Sequence, residues 1–307
     1  MIKSITVTNY LGESIKLDLA RPDKSGFVVK AVTGLGPGKA TINTTDVITN
    51  DGGLFNSARM TSRNIVISLE YFWRDKTSIE DTRQLSYKYF PLKKKLTLLI
   101  ETDNRLAEIE GYVETNDPNI FSNAEGSDIS IICPDPYFRS REVKTTVFRG
   151  LEALFEFPFS NESTTEPLLE MGSIISRPDR VITYNGDIET GITIRMHAIG
   201  PVNNITIYNL TTREVMRINT SPIQAYVPGS GSAGLVEGDD VVICTEKGKK
   251  SITLYRGGET INILGCLDKD VDWFQLTQGN NVFTYLAEDG GSNLEFSIEN
   301  NTLYEGV

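Results

Sequence analysis

The chain has 307 residues, of which 39% are hydrophobic, 23% charged and 9% aromatic, and these ordinary globular values exclude a disordered protein. The length suffices for two domains that each bury a core. The net charge of −11 is unevenly placed, because residues 1–140 hold 17 Lys and Arg against 18 Asp and Glu, whereas residues 141–307 hold 13 against 23. Phosphate backbones are bound by positive surfaces, so this acidity argues against nucleic acid as a partner.

The first residues predict neither a signal peptide nor a membrane anchor. Residues 1–7 alternate like a strand and lack the apolar block of a signal peptide, and no apolar run reaches the length of a membrane-spanning helix. We therefore expect no membrane insertion. Cys133, Cys244 and Cys266 are an odd number without metal-ligand spacing, which favours reduced thiols in a chain that folds in a cytoplasm.

The first elements predict a β domain. Ile5–Val7 and Ile15–Leu19 alternate on either side of a short glycine-containing segment, which predicts a hairpin. Residues 34–38 and 51–59 are glycine-containing stretches that we interpret as loops, the first of them flexible. The first stretch has no Gly-Lys-Ser/Thr ending and no strand-to-helix context, so a phosphate-binding loop is not predicted.

A long strand and one helix come next. The strand is predicted from Arg63 to Trp73, with one buried face made of Ile65, Ile67, Leu69 and Tyr71. The helix should be capped by Thr77 or Ser78 and stopped by Pro91, with Ile79, Leu85 and Tyr89 on its apolar face. Three further strands are predicted at Leu96–Ile100, Ile109–Glu114 and Ile129–Ile132. The predicted first domain is therefore antiparallel β with one packed helix.

A short stretch then separates the two halves of the chain. Proline has no N–H to donate and biases the preceding residue towards extended backbone, so two prolines two residues apart should end the strand ladder. We predict a structural motif at the domain junction, in which the cysteine is a buried thiol and the two aromatic residues pack onto the first domain. Its residues are Cys133, Pro134, Asp135, Pro136, Tyr137 and Phe138.

The second half predicts a β-sandwich, because short strands recur at even spacing with glycine-rich turns between them. Proline interrupts the patterns at Leu154–Phe159 and Pro167–Gly172, which we interpret as edge or linker segments. Asn185 and Gly186 form a two-residue turn signal. The predicted domains are thus 1–140 and 141–307, with 141–172 partly linker.

Candidate chemistry in the second half is weak, and we assign no catalytic, cofactor-binding or metal-binding residue. His197, the single histidine, lies in an alternating strand without a nucleophile elbow, so a structural role is expected. Asp268–Asp272 has acids at every second position but lacks the glycine and the glutamate of a calcium loop, which indicates a solvated turn. A pair of carboxylates that hydrolyses glycosides is a third functional hypothesis, because their separation is a spatial property.

Four aromatic residues of the second half allow two interpretations. Alternating placement in strands favours core packing, whereas rings on a surface would stack against sugars. The residues are Tyr255, Trp273, Phe274 and Tyr285.

The order of several short motifs resembles the distal tail protein (Dit) family of long-tailed bacteriophages and prophages. The motifs are Tyr89-Phe90-Pro91-Leu92, Leu98 to Asp103, Glu110-Gly111-Tyr112-Val113-Glu114 and Cys133-Pro134-Asp135-Pro136-Tyr137-Phe138. The resemblance covers the whole chain in order of elements and is most specific in 85–138. It implies a β-rich N-terminal domain that forms a hexameric ring under the tail tube, and a galectin-like C-terminal β-sandwich that projects outward.

The resemblance also implies a function and a set of partners. The protein would be a structural virion protein, not an enzyme, that joins the tail tube to the baseplate or tip adhesion apparatus. Its partners would be its own copies, the tail tube, the tape-measure and tip proteins, and receptor-binding proteins, in the virion after assembly in the host cytoplasm. Ring contacts are expected from strand edges, from the loop at 51–59 and from an arm at 33–45. The alternative is an adhesion module whose sandwich binds cell-wall carbohydrate.

Overall fold

The computed structural model describes residues 1–46, 51–72, 78–152, 173–176, 179–226 and 233–307. The chain divides into two compact units, Met1–Arg141 with Leu303–Val307, and Glu142–Thr302. Both are built from antiparallel strands, so the predicted mainly β class is confirmed. Trp73, the alternative cap Thr77 and the segments predicted at Leu154–Phe159 and Pro167–Gly172 lie outside the described residues, as does most of the predicted linker.

The first unit contains one antiparallel sheet in which seven strands follow the order β2-β1-β7-β8-β9-β6-β3. The elements of this unit are β1 (Ile2–Thr8), β2 (Ser14–Asp18), β3 (Phe27–Thr33), β4 (Ala40–Asp46), β5 (Gly53–Met60), β6 (Arg63–Tyr71), α1 (Ile79–Tyr89), β7 (Lys95–Thr102), β8 (Leu106–Asn119) and β9 (Gly126–Cys133). The strand β10 (Phe138–Val147) begins in the first unit and continues into the second.

The core of the first unit follows the predicted alternation. The β1–β2 hairpin is confirmed, and β6 buries Ile65, Ile67, Leu69 and Tyr71 on one face as predicted. Burial of each such side chain contributes on the order of 1.5–3 kcal/mol. The strands predicted around Leu98, Ile109 and Ile131 correspond to β7, β8 and β9.

Helix α1 begins with a capping box. The Ser78 Oγ accepts the Asp81 N–H at 3.0 Å, and the Asp81 Oδ2 accepts the Ser78 N–H at 2.9 Å, so two backbone donors are satisfied. The helix ends at Tyr89, before Pro91. The predicted apolar residues are partly buried against the core, while the deepest positions are small and polar. The Ser86 hydroxyl, for example, is fully buried and donates to the Arg83 carbonyl of its own helix at 2.7 Å.

The loop predicted at residues 51–59 is wrong. This stretch lies largely within β5, which pairs with β4 in a two-stranded antiparallel hairpin. Every residue of the hairpin is exposed except Met60, which is half-buried. A strand that buries neither face has no reason to alternate apolar and polar residues, so the pattern that revealed β6 is missing here. We call β4 and β5 the arm.

The second unit is a sandwich of two antiparallel sheets, with the orders β23-β15-β18-β19-β20 and β13-β22-β16-β17. Its elements are β11 (Arg149–Glu152), β12 (Ser173–Ser176), β13 (Arg180–Tyr184), β14 (Thr190–Gly191), β15 (Thr193–Ala198), β16 (Asn203–Asn209), β17 (Glu214–Ile218), α2 (Ile223–Tyr226), β18 (Asp240–Cys244), β19 (Ser251–Arg256), β20 (Glu259–Asn262), β21 (Gln275–Leu276), β22 (Gly279–Asp289) and β23 (Leu294–Tyr304). Strands β11 and β12 pair with each other, as do β14 and β21.

Aromatic side chains fill the core between these two sheets. The Phe296 ring packs edge-on against Phe148 and is stacked on Tyr285, and Phe274 packs edge-on against Phe283. Such pairs contribute about 0.5–1.5 kcal/mol beyond the area that they bury. Phe274 and Tyr285 are therefore core residues.

The two-residue turn predicted at Asn185 and Gly186 is wrong. Strand β13 pairs with the distant β22 rather than with the strand that follows it, so the chain does not fold back at this point. A Cβ atom on Gly186 would lie 2.1 Å from the hydroxyl of Tyr184, which is buried and donates to the Ile188 carbonyl at 2.6 Å. The glycine makes room for this tyrosine instead. The one-turn helix α2 was not predicted.

The last five residues belong to the first unit, whereas the sequence-based boundary placed them in the second domain. The Val307 N–H donates to the Leu35 carbonyl at 3.1 Å. Arg105 donates to the Gly306 carbonyl at 2.9 Å, and its guanidinium lies 4.4 Å from the centre of the Tyr304 ring. The chain therefore passes between the units twice, after Arg141 and after Thr302. The regular strand pattern of β23 gives no sign of the second passage.

Candidate assembly surfaces and the domain junction

A buried arginine organises the irregular backbone of the first unit. Arg63, the first residue of β6, is only 4% exposed. Its Nε donates to the Pro136 carbonyl at 2.6 Å, and its Nη2 donates to the Glu305 carbonyl at 2.6 Å. Its Nη1 donates to the carbonyls of Gly34, at 2.6 Å, and Gly36. One charged group thus joins three segments that are distant in sequence, and charged donors make strong hydrogen bonds.

The electrostatic surroundings of Arg63 are unusual, because backbone carbonyls rather than carboxylates accept its hydrogen bonds. Burial lowers the pKa of Arg63. Its guanidinium also lies 4.7 Å from the centre of the Phe138 ring, a cation–π contact.

The loop at 34–38, predicted to be flexible, is held in place. Leu35 is buried in the core, and its two glycine neighbours are acceptors of Arg63. Gly34 has φ of +83°, and a Cβ atom there would lie 2.1 Å from the Asn64 carbonyl oxygen. The position therefore requires glycine for both conformation and space.

The junction motif is an excursion from the edge of β8. Ile132 lies opposite Tyr112, and Arg139 lies opposite Glu108. The chain therefore advances seven residues while β8 advances only four, so the extra residues cannot pair with β8. The segment between them leaves the ladder, which suits prolines that have no N–H to donate. The chain then returns to the same edge as β10.

The six predicted junction residues differ in burial. Cys133 and Phe138 are fully buried, and they bracket the excursion at the end of β9 and the start of β10. Tyr137 is partly buried, and burial raises its pKa. Pro136 is also partly buried, whereas Pro134 and Asp135 are exposed.

Burial raises the pKa of Cys133 to about 11, so the thiol is protonated at neutral pH and is a poor nucleophile.

The sequence-based prediction missed Arg63, the carbonyl acceptors around it and the C-terminal residues. Arg63 stands on the buried face of β6, two residues before Ile65, and this charged residue in an apolar register was the available signal.

The arm exposes apolar side chains. Ile42, Leu54 and Phe55 are 63%, 62% and 66% exposed, and the two strands carry only Asp46 and Arg59 as charged residues. A two-stranded hairpin is at best marginally stable in water on its own. An exposed segment that is apolar and poor in charge is typical of a contact surface.

A second exposed apolar feature lies at the turn between β8 and β9. We call residues 119–123 the tip. Its Phe121 is 97% exposed, and Ile120 is also exposed. Just after the tip, Glu125 accepts a hydrogen bond from Arg83 of α1 at 3.3 Å, which joins the start of β9 to the helix.

A groove of about 420 Å³ lies between β2 and α1. Its apolar residues are Ile15 and Leu85, both partly buried against the core. Its charged residues are Lys16, Asp18 and Lys24.

In the second unit, the outward face of β15, β18 and β19 carries polar residues around a shallow groove of about 320 Å³. We call it the polar face. Tyr255 is half-exposed and lies opposite Asp240 in the register. The Asp240 carboxylate is 2.8 Å from the His197 Nδ1, and the Arg195 Nε is 2.9 Å from Glu299. His197 therefore lies in a surface polar cluster, and the exposed ring of Tyr255 lies beside carboxylate and guanidinium groups, the side-chain types that bind sugars.

The remaining candidates are structural. The Asp272 carboxylate accepts the Val215 N–H at 3.0 Å, and Asp268 lies 4.0 Å from Arg217. The indole of Trp273 is partly buried with the Lys250 ammonium 5.2 Å from its centre. Over the parts of the chain that the structure describes, no group of three or more potential metal ligands occurs. In the same parts, no helix has the length and apolar character needed to cross a membrane.

Comparisons with known proteins give a match at the level of fold. No protein-family model and no curated protein matches the chain, but ten chains of solved structures do. One is the crystal structure of SPP1 Dit (gp 19.1), described as a paradigm of the hub adsorption apparatus in phages that infect Gram-positive bacteria. It has a TM-score of 0.66 and 13% identity over 97% of this chain and 98% of that one.

The phage P2 baseplate in its calcium-activated conformation also contains a match, with a TM-score of 0.49 and 12% identity over 97% and 98% of the two chains. The chain therefore has the fold of SPP1 Dit over nearly its full length, and the resemblance to the distal tail proteins is confirmed as a likeness of fold.

Proposed function

We propose that this protein is a structural component of the distal tail of a long-tailed bacteriophage. Its first unit would form a hexameric ring that joins the tail tube to the baseplate or tip adhesion apparatus. The observation that carries this proposal is the common fold with SPP1 Dit over 97% of the chain. In this role the protein is not an enzyme, and the buried, protonated thiol of Cys133 agrees with such a role.

A closed ring requires heterologous contacts that repeat under rotation, so each copy must present two different surfaces to its neighbours. The arm supports this requirement, because Ile42, Leu54 and Phe55 are exposed in the single chain and would be buried against a second copy. The loop expected at 51–59 and residues 40–45 of the arm expected at 33–45 fall in this hairpin, whereas residues 34–38 form the loop that Arg63 binds.

The remaining partners follow from this position in the virion. The ring would contact the tail tube, the tape-measure protein and the tip proteins, and receptor-binding proteins would attach around it. The chain would fold and assemble in the host cytoplasm, where reduced cysteines are the rule. Cys133 and Cys266 are buried free thiols, which agrees with that compartment.

Native mass spectrometry and negative-stain imaging of the purified full chain test the proposal. We expect a closed ring of six copies at micromolar concentration. A strictly monomeric species at high concentration, both alone and together with the tail-tube protein, would refute it.

A second candidate function is binding of cell-wall carbohydrate by the polar face. Sugars stack on aromatic rings and exchange hydrogen bonds with carboxylates and guanidinium groups, and Tyr255 is an exposed ring beside Asp240 and Arg195. Display on a ring would raise weak affinities by avidity.

A glycan array and purified cell-wall polysaccharide, probed with the full chain, test this second function. Tyr255→Ala should reduce binding, whereas Leu286→Ala, which also changes an exposed residue of the second unit, should not. Equal binding by wild type and Tyr255→Ala would exclude the polar face. Release of reducing sugar, abolished by a single carboxylate substitution, would instead support the hydrolase hypothesis.

A further inference from the structure

We infer that neighbouring copies of this chain contact each other head to tail on either side of helix α1. The tip of one copy inserts Phe121 into the groove between β2 and α1 of the next copy. The inference rests on the proposed ring and names one of its contacts.

The tip has the properties of an inserting element. Phe121 is 97% exposed, so in the single chain it gains nothing from burial. The chain just after the tip has a defined position, because the ion pair between Glu125 and Arg83 joins it to α1. Aromatic residues are enriched among interface hot spots, since their large area is buried with few rotatable bonds.

The groove has the properties of a receiving site. It is a half-open groove of about 420 Å³, which leaves room for a phenyl ring. Ile15 and Leu85 offer apolar contact, and both pack against the core behind them. The receiving surface is thus formed by a strand and a helix of the folded unit.

Helical geometry places the tip and the groove apart. Arg83 binds Glu125, just after the tip, and Leu85 lines the groove; the two residues are two positions apart in α1. At 3.6 residues per turn they point roughly 200° apart around the helix axis. A protrusion and its pocket on opposite sides of one element cannot meet within a copy, but they do meet between successive copies, which is the arrangement that builds a ring.

The charges at the two surfaces favour a second copy as the occupant. The lining of the groove has two lysines, Lys16 and Lys24, against one acid, Asp18, and the exposed Asp117 lies just before the tip. Lys16 is also 2.9 Å from Glu101, so part of its charge is offset within its own copy. Opposite charges at the rims of two surfaces orient their encounter. Both surfaces belong to the first unit, so every copy carries one of each.

Disulfide cross-linking between variants that each carry one added surface cysteine tests the contact, while the buried Cys133 and Cys266 are kept. Phe121→Cys and Ile15→Cys are made in the full chain with Cys244→Ser, since Cys244 is the most accessible of the native thiols. After mild oxidation, the mixture of the two variants should give a covalent dimer that neither variant gives alone. One chain that carries both substitutions should give a ladder of covalent oligomers. Phe121→Cys mixed with Leu286→Cys serves as the control and should give no dimer.

The outcomes separate this inference from the proposed function. Rings of the wild type without any cross-link would overturn the inference and leave the ring intact, whereas a wild type that forms no ring refutes both. Phe121→Ser should raise the concentration at which half of the chains are assembled at least tenfold, with unchanged thermal unfolding, and Phe121→Leu should restore most of the assembly. If Phe121→Ser assembles normally but no longer binds another tail protein, the occupant of the groove is not a second copy and the inference is wrong.

Discussion

A guanidinium carries five N–H donors in one plane, and its burial is costly unless these donors find acceptors. In Arg63 the acceptors are main-chain carbonyls from three segments: the loop after β3, the junction excursion and the C-terminal residues. At the residue scale, one buried side chain therefore joins three segments of the first unit that are distant in sequence.

Replacement of Arg63 should destabilise the first unit strongly. Arg63→Met keeps much of the volume but removes the donors, and we expect a loss of about 3 kcal/mol in the free energy of unfolding, because the hydrogen bonds that join three segments of the first unit are lost together. Urea denaturation followed by circular dichroism measures it. Arg63→Lys should recover only part of the loss, since an ammonium cannot reach all acceptors at once. The control Arg21→Met removes only an exposed ion pair, and an equal effect there would contradict the prediction.

Cys133 should make stability depend on alkaline pH. Its pKa is raised from 9.0 to about 11 by burial, so the folded state keeps a proton that the unfolded state loses in this range. This contribution is fully present below pH 9 and is lost as the pH rises towards 11, by up to about 2 kcal/mol. The stability of the wild type, measured from pH 8 to 10.5, should fall more steeply than that of Cys133→Ala. Parallel curves for the two proteins would show that the thiol does not contribute.

At the element scale, sequence patterns predict strands where burial is one-sided. Strand β6 was predictable because its apolar residues alternate, and α1 because its cap and its terminating proline stand in the chain as ordinary signals. The arm was not, because a hairpin exposed on both faces imposes no alternation. The partners of Arg63 could not be predicted from the sequence either, because they are backbone carbonyls, which every residue type provides. The Asn185-Gly186 turn was predicted from a local signal, but β13 pairs with the distant β22, and local sequence does not encode that long-range pairing.

The capping box of α1 should contribute measurably to stability. Ser78→Ala removes the side-chain acceptor of the Asp81 N–H and the partner of its carboxylate, and we expect a loss of about 1 kcal/mol. The pKa of Asp81 is lowered by its hydrogen bonds with Ser78, so the effect of the substitution should decrease as the pH falls through that lowered value. Urea denaturation at neutral and acidic pH measures both. Ser221→Ala, at an exposed turn of the second unit, is the matched control.

The arm should be dispensable for folding but required for assembly. Ile42→Ser combined with Phe55→Ser removes two exposed apolar side chains, so the thermal unfolding of the single chain should change little. Ring formation, measured by native mass spectrometry, should fall at least tenfold because these residues would be buried between copies. Leu286→Ser, at an equally exposed site of the second unit, should assemble normally. An arm variant that forms rings as well as the wild type would remove the arm from the interface.

At the scale of the whole molecule, the first unit consists of two separated parts of the chain. Its last residues arrive only after the complete second unit has been made, and they carry the Glu305 carbonyl that Arg63 binds. The sequence-based boundary at residue 140 was drawn just after the junction motif, and the first passage between the units follows Arg141. The second passage lies inside a continuous strand, β23, and only the three-dimensional structure reveals it.

Removal of residues 303–307 should therefore loosen the first unit and not the second. The truncated chain lacks one of the acceptors of Arg63, the Gly306 acceptor of Arg105 and the hydrogen bond to Leu35. Hydrogen exchange should become faster in β3 and β6 by at least tenfold and remain unchanged in β18 and β19. Unchanged protection in β3 and β6 would show that residues 303–307 contact the rest of the first unit without stabilising it.

The two passages of the chain have an evolutionary consequence. Ser140 pairs with Ala107 on β8, and two residues away Arg105 holds Tyr304 and Gly306, so the second unit departs from and returns to neighbouring points of the first. A segment with neighbouring ends can be exchanged by recombination without cutting the sheet that receives it. Selection can then diversify the second unit rapidly while the first keeps the surfaces of the proposed ring. Relatives of this chain should accordingly differ most between residues 142 and 302.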